Sequence, residues 1–161
     1  MSAGEVRRWK LREATETDVP FLVELHRATM REYVDAIWGW DDADQARRHA
    51  QRVSAPPDNG ERWIITVADA DIGMLELWWR DDDLYIGAIE ISPESQGLGI
   101  GSSVLGWVVE EAERRGQPVR LRVLRSNPRA CRFYESHAFR RIGEGEHHFE
   151  YRSQLPERER P

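Results

Sequence analysis

The spacing of apolar residues changes its period several times along the chain, and each change predicts a new element. Residues 6–13 alternate loosely as a first strand, and apolar residues then recur every three or four positions over 18–35, which predicts an amphipathic helix. A second, more polar helix is predicted over about 42–53. Apolar and polar positions alternate again within 62–92, which predicts three strands joined by tight turns.

The second half of the chain repeats this change of period. A helix is predicted over 99–115, a strand over 119–124, a helix that begins after Asn127, and a closing hairpin over 139–153. The order β-α-α-β-β-β-α-β-α-β-β predicts an α+β fold with one βαβ crossover.

Composition narrows the class of protein further. The chain has 161 residues, a net charge of −6 and a single cysteine, Cys131, so no internal disulfide can form. We expect one domain over residues 1–154 and a frayed tail over 155–161. No apolar run is long enough to span a bilayer, and the first ten residues contain no secretory signal, so we expect a cytoplasmic protein without membrane contact. The acidic balance argues against a nucleic-acid partner.

A glycine-rich turn between a predicted strand and a predicted helix carries the most specific signal. Gly97, Gly99 and Gly101 lead into the apolar helix, where unpaired backbone N–H groups and the helix dipole favour a pyrophosphate. A Walker-type loop would need a lysine after the last glycine, and Ser102 stands there instead. The G-x-G-x-G spacing also departs from the dinucleotide motif. A glycine-lined packing turn is the structural alternative.

Two motifs resemble those of the GNAT-superfamily N-acetyltransferases. The residues QGLGIG at 96–101 are similar to that family's Q/R-x-x-G-x-G/A signature. The second block resembles N-x-x-A-x-x-x-Y-x-x-x-G-F and comprises Asn127, Ala130, Phe133, Tyr134 and Phe139. Ala138 departs from it, since the family usually has glycine there. The resemblance covers nearly the whole chain and implies a GNAT-like α+β fold: a mixed, mostly antiparallel sheet of about seven strands with a splayed central strand pair, flanked by about four helices.

The resemblance also implies acetyl-CoA as co-substrate, without a metal. The pantetheine arm would pair with the backbone of Ile89, Glu90 and Ile91. The residues that match the phosphate cradle are Gln96, Gly97, Leu98, Gly99, Ile100, Gly101 and Ser102. Asn127 matches a residue that contacts the pantetheine arm, a role compatible with its position as a helix N-cap.

Two residues are candidates for acid and base catalysis. Tyr134 matches the family's general acid, which also contacts the cofactor; its alternative role is that of a packing aromatic. Some similar enzymes carry a glutamate base at the position of Arg122, which excludes that base here. Glu90 is the best remaining candidate and Glu76 the second. The alternative for Glu90 is exposure to solvent or a pair with an arginine.

Acceptor recognition in the family lies in the first two helices and the last hairpin. The matching candidates are His26, Met30, Tyr33, Trp38 and Trp40. Two tryptophans with adjacent carboxylates could hold a cationic amine, although either tryptophan could instead pack the two helices together. The adjacent His147 and His148 would face opposite sides of a strand and cannot chelate one metal ion.

These observations predict an acetyl-CoA-dependent N-acetyltransferase that acts on a primary amine, of a small molecule or of a protein, in a ternary complex. The alternative is a catalytically weak acyl-CoA-binding or sensing module with the same fold. Both a monomer and a homodimer are compatible with the sequence, and the acceptor amine and the acyl chain stay open.

Overall fold

A computed structural model describes residues 8–155 and contains one seven-stranded sheet with helices on both faces. The strands are β1 (Trp9–Glu13), β2 (Gly60–Val67), β3 (Ala70–Trp79), β4 (Leu84–Ile91), β5 (Val119–Leu124), β6 (Phe139–Glu144) and β7 (His148–Ser153). The helices are α1 (Val19–Trp38), α2 (Asp42–Ser54), α3 (Ile100–Arg114) and α4 (Pro128–Ser136). The predicted α+β fold is confirmed. Positions 6 and 7 of the predicted first strand, and positions 156–161 of the predicted tail, lie outside the described residues.

The sheet opens between its two central strands. Its order is β1-β2-β3-β4-β5-β7-β6, and every neighbouring pair is antiparallel except β4–β5, which is parallel. The parallel strands pair only at Leu84–Val119, Tyr85–Arg120 and Ile86–Leu121. Beyond Ile86 the strands separate, so the backbone of residues 87–91 has no strand partner on the β5 side. The predicted splayed pair is therefore confirmed.

Helix α1 is longer than predicted, since it ends at Trp38 rather than at residue 35. Gly39, with φ +80°, ends the helix, because this backbone conformation is open to glycine at little cost. A short 3₁₀ turn at Glu16–Asp18 precedes α1, and the N-cap of α2 is Asp41, whose carboxylate accepts a hydrogen bond from the Asp44 N–H.

Each face of the sheet has its own apolar cluster. On one face α1 buries Leu22 and Leu25 against Ile64 and Met74. On the other face α3 and α4 cover a larger cluster centred on Leu75 and its neighbours. None of the helices within residues 8–155 is long and apolar enough to cross a membrane.

Candidate active site

The glycine-rich turn exposes backbone N–H groups at the start of α3. Gly97 has φ +77° and Gly99 has φ +81°, so both adopt a conformation that strains other residues. Gly99 is the N-cap of α3 and offers no capping side chain. The Ser103 N–H makes the first intrahelical bond, to the Gly99 carbonyl at 3.0 Å. The N–H groups of residues 100–102 therefore point out of the helix without an intrahelical acceptor, at the positive end of the helix dipole.

The polar side chains of the turn shape the loop. The Gln96 Nε2 group donates to the Ile91 carbonyl at 2.8 Å and so ties the turn to the end of β4. His137 donates through Nδ1 to the Phe133 carbonyl at 2.7 Å, so its Nε2 accepts from the Ser102 hydroxyl at 2.9 Å. Of the other predicted cradle residues, Leu98 is exposed and Ile100 is buried.

A cleft of about 1180 Å³ lies between the first two helices and the open part of the sheet. Eight of the seventeen predicted site residues line it: His26, Met30, Trp38, Trp40, Ile89, Glu90, Asn127 and Tyr134. Tyr33 is not among the lining residues; its carbonyl instead accepts a hydrogen bond from the Ser126 hydroxyl at 2.8 Å. Ile91 and the glycine turn lie outside the lining as well.

Glu90 and His26 meet at the wall of this cleft, although 64 positions separate them in the chain. Glu90 is 5% exposed, and its Oε1 contacts His26 Nδ1. An ionised carboxylate only accepts hydrogen bonds, so Nδ1 carries the proton and Nε2 of a neutral ring is left as an acceptor. Glu90 Oε2 is buried with no partner among the described residues. A buried oxygen of this kind is suited to receive a donor from a ligand.

A second buried pair lies beside the first. Arg62 on β2 is directly opposite Glu76 on β3, with 3.2 Å between Nε and Oε2, and the Arg62 Nη2 group donates to His49 Nδ1 at 2.9 Å. The His49 ring is 5.0 Å from the His26 ring. Burial, and then the charge of Arg62, lower the pKa of His49 to about 3, so this ring is neutral. Arg62 thus fixes the His49 ring, which packs edge-on against His26.

Tyr134 and Asn127 form the part of the cleft that belongs to the second motif. Burial raises the pKa of the Tyr134 phenol well above its ordinary value, so the group keeps its proton. Asn127 is the N-cap of α4 and accepts from the Ala130 N–H at 3.1 Å. Within residues 8–155 its Nδ2 group donates to no acceptor of the protein.

The two tryptophans of the helix junction have different neighbours. Trp40 packs against His26, with 5.5 Å between ring centroids, and donates to the Asp42 carboxylate at 2.7 Å. Trp38 is 55% exposed and packs edge-on against His147 in the β6–β7 connection. Trp40 thus orients the His26 ring, and Trp38 joins the end of α1 to the last hairpin.

Sequence reasoning missed His49, Arg62 and the contacts of Arg122. One signal was present for Arg62: it shares strand parity with Ile64, so alternation directs it to the face that α1 and α2 cover. His49 lies in a helix so polar that no pattern marks its buried face.

No group of three or more potential metal-ligating side chains occurs within the described chain.

Comparison with known proteins identifies the family. The family model described as "Acetyltransferase (GNAT) family" matches residues 20–139, and the chain belongs to that family. No curated protein matches the sequence.

Solved structures share the fold at low sequence identity. An acetyltransferase from Thermus thermophilus has a TM-score of 0.76 and 19% identity, over 94% of this chain and 99% of that one. The PaiA N-acetyltransferase from Thermoplasma acidophilum, solved in complex with coenzyme A, has a TM-score of 0.70 and 16% identity, over 91% and 99%. The ribosomal-protein-S18-alanine N-acetyltransferase from Escherichia coli has a TM-score of 0.65 and 18% identity, over 92% and 97%.

Proposed function

We propose that the protein transfers the acetyl group of acetyl-CoA to a primary amine by direct attack in a ternary complex. The observation that carries the proposal is the arrangement of three features around β4. A row of unpaired backbone N–H groups follows the end of its unpaired edge, and Glu90 of the same strand meets His26 of α1 at the wall of a cleft large enough for an acceptor.

The backbone of the chain holds the donor. The N–H groups of residues 100–102 bind the pyrophosphate, since a helix N-terminus with unpaired donors favours anions. The β4 backbone at residues 89–91 pairs with the pantetheine amides in place of the missing β5 partner. The Asn127 Nδ2 group donates to the same arm.

The Glu90–His26 pair removes the proton of the amine. A neutral amine is required, because its lone pair forms the new C–N bond with the thioester carbonyl carbon. His26 Nε2 receives the proton that the amine loses, and the Glu90 carboxylate stabilises the imidazolium that results. Glu90, proposed from the sequence as the base, thus acts together with a residue proposed for acceptor binding.

Tyr134 completes the transfer. When the C–S bond breaks, the sulfur leaves as a thiolate and takes the phenolic proton. Burial raises the pKa of Tyr134, so the phenol is protonated before the transfer, and the same burial raises the proton affinity of a thiolate formed beside it. Tyr134→Phe is expected to lower kcat by about 10²-fold. Tyr151→Phe is the matched control for loss of a buried phenolic hydroxyl, because the Tyr151 hydroxyl bonds to Glu135 and does not line the cleft.

The donor site is tested by CoA binding to two glycine variants of the same helix. A Cβ at Gly101 would meet only Ile91 and Phe133, at 3.8 Å, and one at Gly106 would meet nothing within 4 Å, so both positions accept a side chain. Gly101→Glu places a carboxylate in the first turn, where it stabilises the helix but repels pyrophosphate. Calorimetry should show CoA binding lost in Gly101→Glu and retained in Gly106→Glu.

Turnover separates an enzyme from an acyl-CoA sensor. The wild-type protein should release free CoA thiol from acetyl-CoA when a panel of amines is added, and CoA at about 100 times its Kd should stabilise the fold by about 2.7 kcal/mol. Stabilisation without turnover on any amine would identify the sensor. A folded protein that binds no CoA would contradict both functions.

A further inference from the structure

The cleft continues into a smaller pocket on the same face of the sheet. This pocket has a volume of about 240 Å³ and shares Leu121 and Arg122 with the cleft. Its other lining residues are Trp78, Arg80, Tyr85, Arg120 and Glu150. Arg122 therefore lies at the junction, one residue beyond the last β4–β5 pair.

Stacked side chains hold this junction in place. Trp78 and Tyr85 are opposite each other on β3 and β4, and their rings stack at 5.3 Å with an angle of 11°. The Arg80 guanidinium lies 4.5 Å from the centre of the Tyr85 ring. The Tyr85 hydroxyl accepts a hydrogen bond from Arg122 Nε at 3.1 Å. One edge of the Arg122 guanidinium is thus fixed, and its Nη groups remain available.

The charges of the pocket do not cancel. Arg80 is bound by Asp83 through two hydrogen bonds. Arg120 lies 3.8 Å from Asp83 and 3.5 Å from Glu150. Arg122 has no carboxylate within 4 Å among residues 8–155, although Glu150 is opposite it on β7. Three arginines thus face two carboxylates, which leaves one positive charge in excess beside Arg122.

We infer that the acceptor amine carries an oxyanion, a carboxylate or a phosphate, which binds the Nη groups of Arg122. The inference rests on the proposed function and adds the substrate class. Arginine presents paired N–H donors that match the two oxygens of such a group. A cationic acceptor, which the two tryptophans and their adjacent carboxylates could hold, would instead meet the positive charge of Arg122 here.

The two places on the protein that would bind the ends of the acceptor are well separated. Glu90 lies three residues beyond Gly87, which is level with Arg122, so the base and the anion site are about 10 Å apart along the strand. A series of acceptors of graded length therefore suits the test: glycine, 4-aminobutyrate and 6-aminohexanoate, with aminoethyl phosphate as the phosphate probe.

The experiment compares kcat/KM for each amino carboxylate with that for the amino alcohol and the diamine of equal length. For the acceptors long enough to span the two sites, the wild-type protein should prefer the anionic acceptor by at least about 10-fold. Arg122→Gln should reduce this preference by roughly 10- to 100-fold, mostly through KM, and Arg122→Lys should restore part of it. Arg140→Gln, at an exposed arginine on β6, should keep the preference. Comparing 4-aminobutyrate with aminoethyl phosphate identifies the preferred anion.

Equal use of alcohols, diamines and carboxylates would overturn the inference, and so would an unchanged preference in Arg122→Gln. A second readout is independent of turnover: calorimetric titration of 6-aminohexanoate and of aminoethyl phosphate into the CoA-saturated protein. Binding that Arg122→Gln abolishes, without acetylation of any amine, would refute the proposed function and keep the anion site. Turnover without any preference for anionic acceptors would support the proposed function and refute the anion site.

Discussion

At the scale of single residues, Glu90 has the most demanding environment in the described chain. Its carboxylate is buried, one oxygen contacts His26, and the other has no protein partner among residues 8–155. A buried charge is costly unless it is paired, so a structural role alone would favour a full set of partners. The free Oε2 atom leaves Glu90 able to bind a ligand, as a site that exchanges a proton with a ligand requires.

The two members of this pair should act as a unit. Glu90→Gln and His26→Gln are each expected to lower kcat by about 10²-fold. The His26 change removes the group that accepts the proton, and the Glu90 change removes the carboxylate that orients it. The double variant should lose no more than the worse single variant, since groups that act together are strongly non-additive. Steady-state kinetics of the three variants checks this.

Glu76→Gln is the matched control for a buried glutamate outside the cleft. Its carboxylate pairs with Arg62, so the variant should lower the free energy of unfolding and leave kcat within a few-fold of wild type. A large loss of kcat in Glu76→Gln, with full additivity of the other two changes, would transfer the role of base to Glu76.

His49 should make stability depend on pH. In the folded state its pKa is lowered to about 3, whereas the unfolded value is 6.5. Between about pH 3 and pH 6.5 the His49 ring therefore binds a proton in the unfolded chain and stays neutral in the native state. The neutral, buried His49 therefore makes its full contribution to the free energy of unfolding above pH 6.5. That contribution falls by about 1.4 kcal/mol per pH unit as the pH drops below 6.5. His49→Asn keeps an acceptor for Arg62 and cannot titrate. The free energy of unfolding, measured with urea between about pH 7.5 and about pH 4, should therefore depend less on pH in this variant than in wild type.

At the scale of elements, the end of α4 carries a strained residue. Ala138 has φ +63°, a conformation that costs a residue with a Cβ roughly 1 kcal/mol more than glycine. Ala138→Gly should raise the free energy of unfolding by about 0.5–1 kcal/mol, even after the added freedom of the unfolded chain. Ala50→Gly, at an exposed position inside α2, should lower it by a similar amount. Chemical unfolding of both variants measures the difference, and destabilisation by both would show that Ala138 is unstrained.

The order of the elements follows from the sequence more closely than the site does. The switch between periods of 3.6 and 2 is local, so each strand and helix could be located from its own residues. The contacts of Glu90 with His26, and of Arg62 with His49, join distant positions on different elements, and no local pattern specifies them. The opening of the sheet was expected only from family resemblance. The apolar positions shift from Leu84 and Ile86 to Ile89 and Ile91, which marks an irregularity near Gly87 but does not specify that β5 separates there.

At the scale of the whole molecule, three residue pairs join the first four strands of the sheet to the last three. Hydrogen exchange should show this division. Amides of residues 87–91 that face β5 should exchange rapidly in the free protein and become protected when CoA is added, because the pantetheine arm supplies their partners. Protection in β2 and β3 should change far less. An unchanged exchange pattern at saturating CoA would contradict pairing of the donor with β4.

In the proposed function the pyrophosphate and the pantetheine arm are held mainly by main-chain groups, the N–H donors of the glycine turn and the unpaired edge of β4, whereas the acceptor meets side chains. Most substitutions leave main-chain groups where they are, so a lineage with this architecture can diverge widely and keep donor binding. On the same proposal, exchanges at positions such as Arg122 change the acceptor and leave donor binding intact. The architecture is thus open to rapid change of acceptor during evolution.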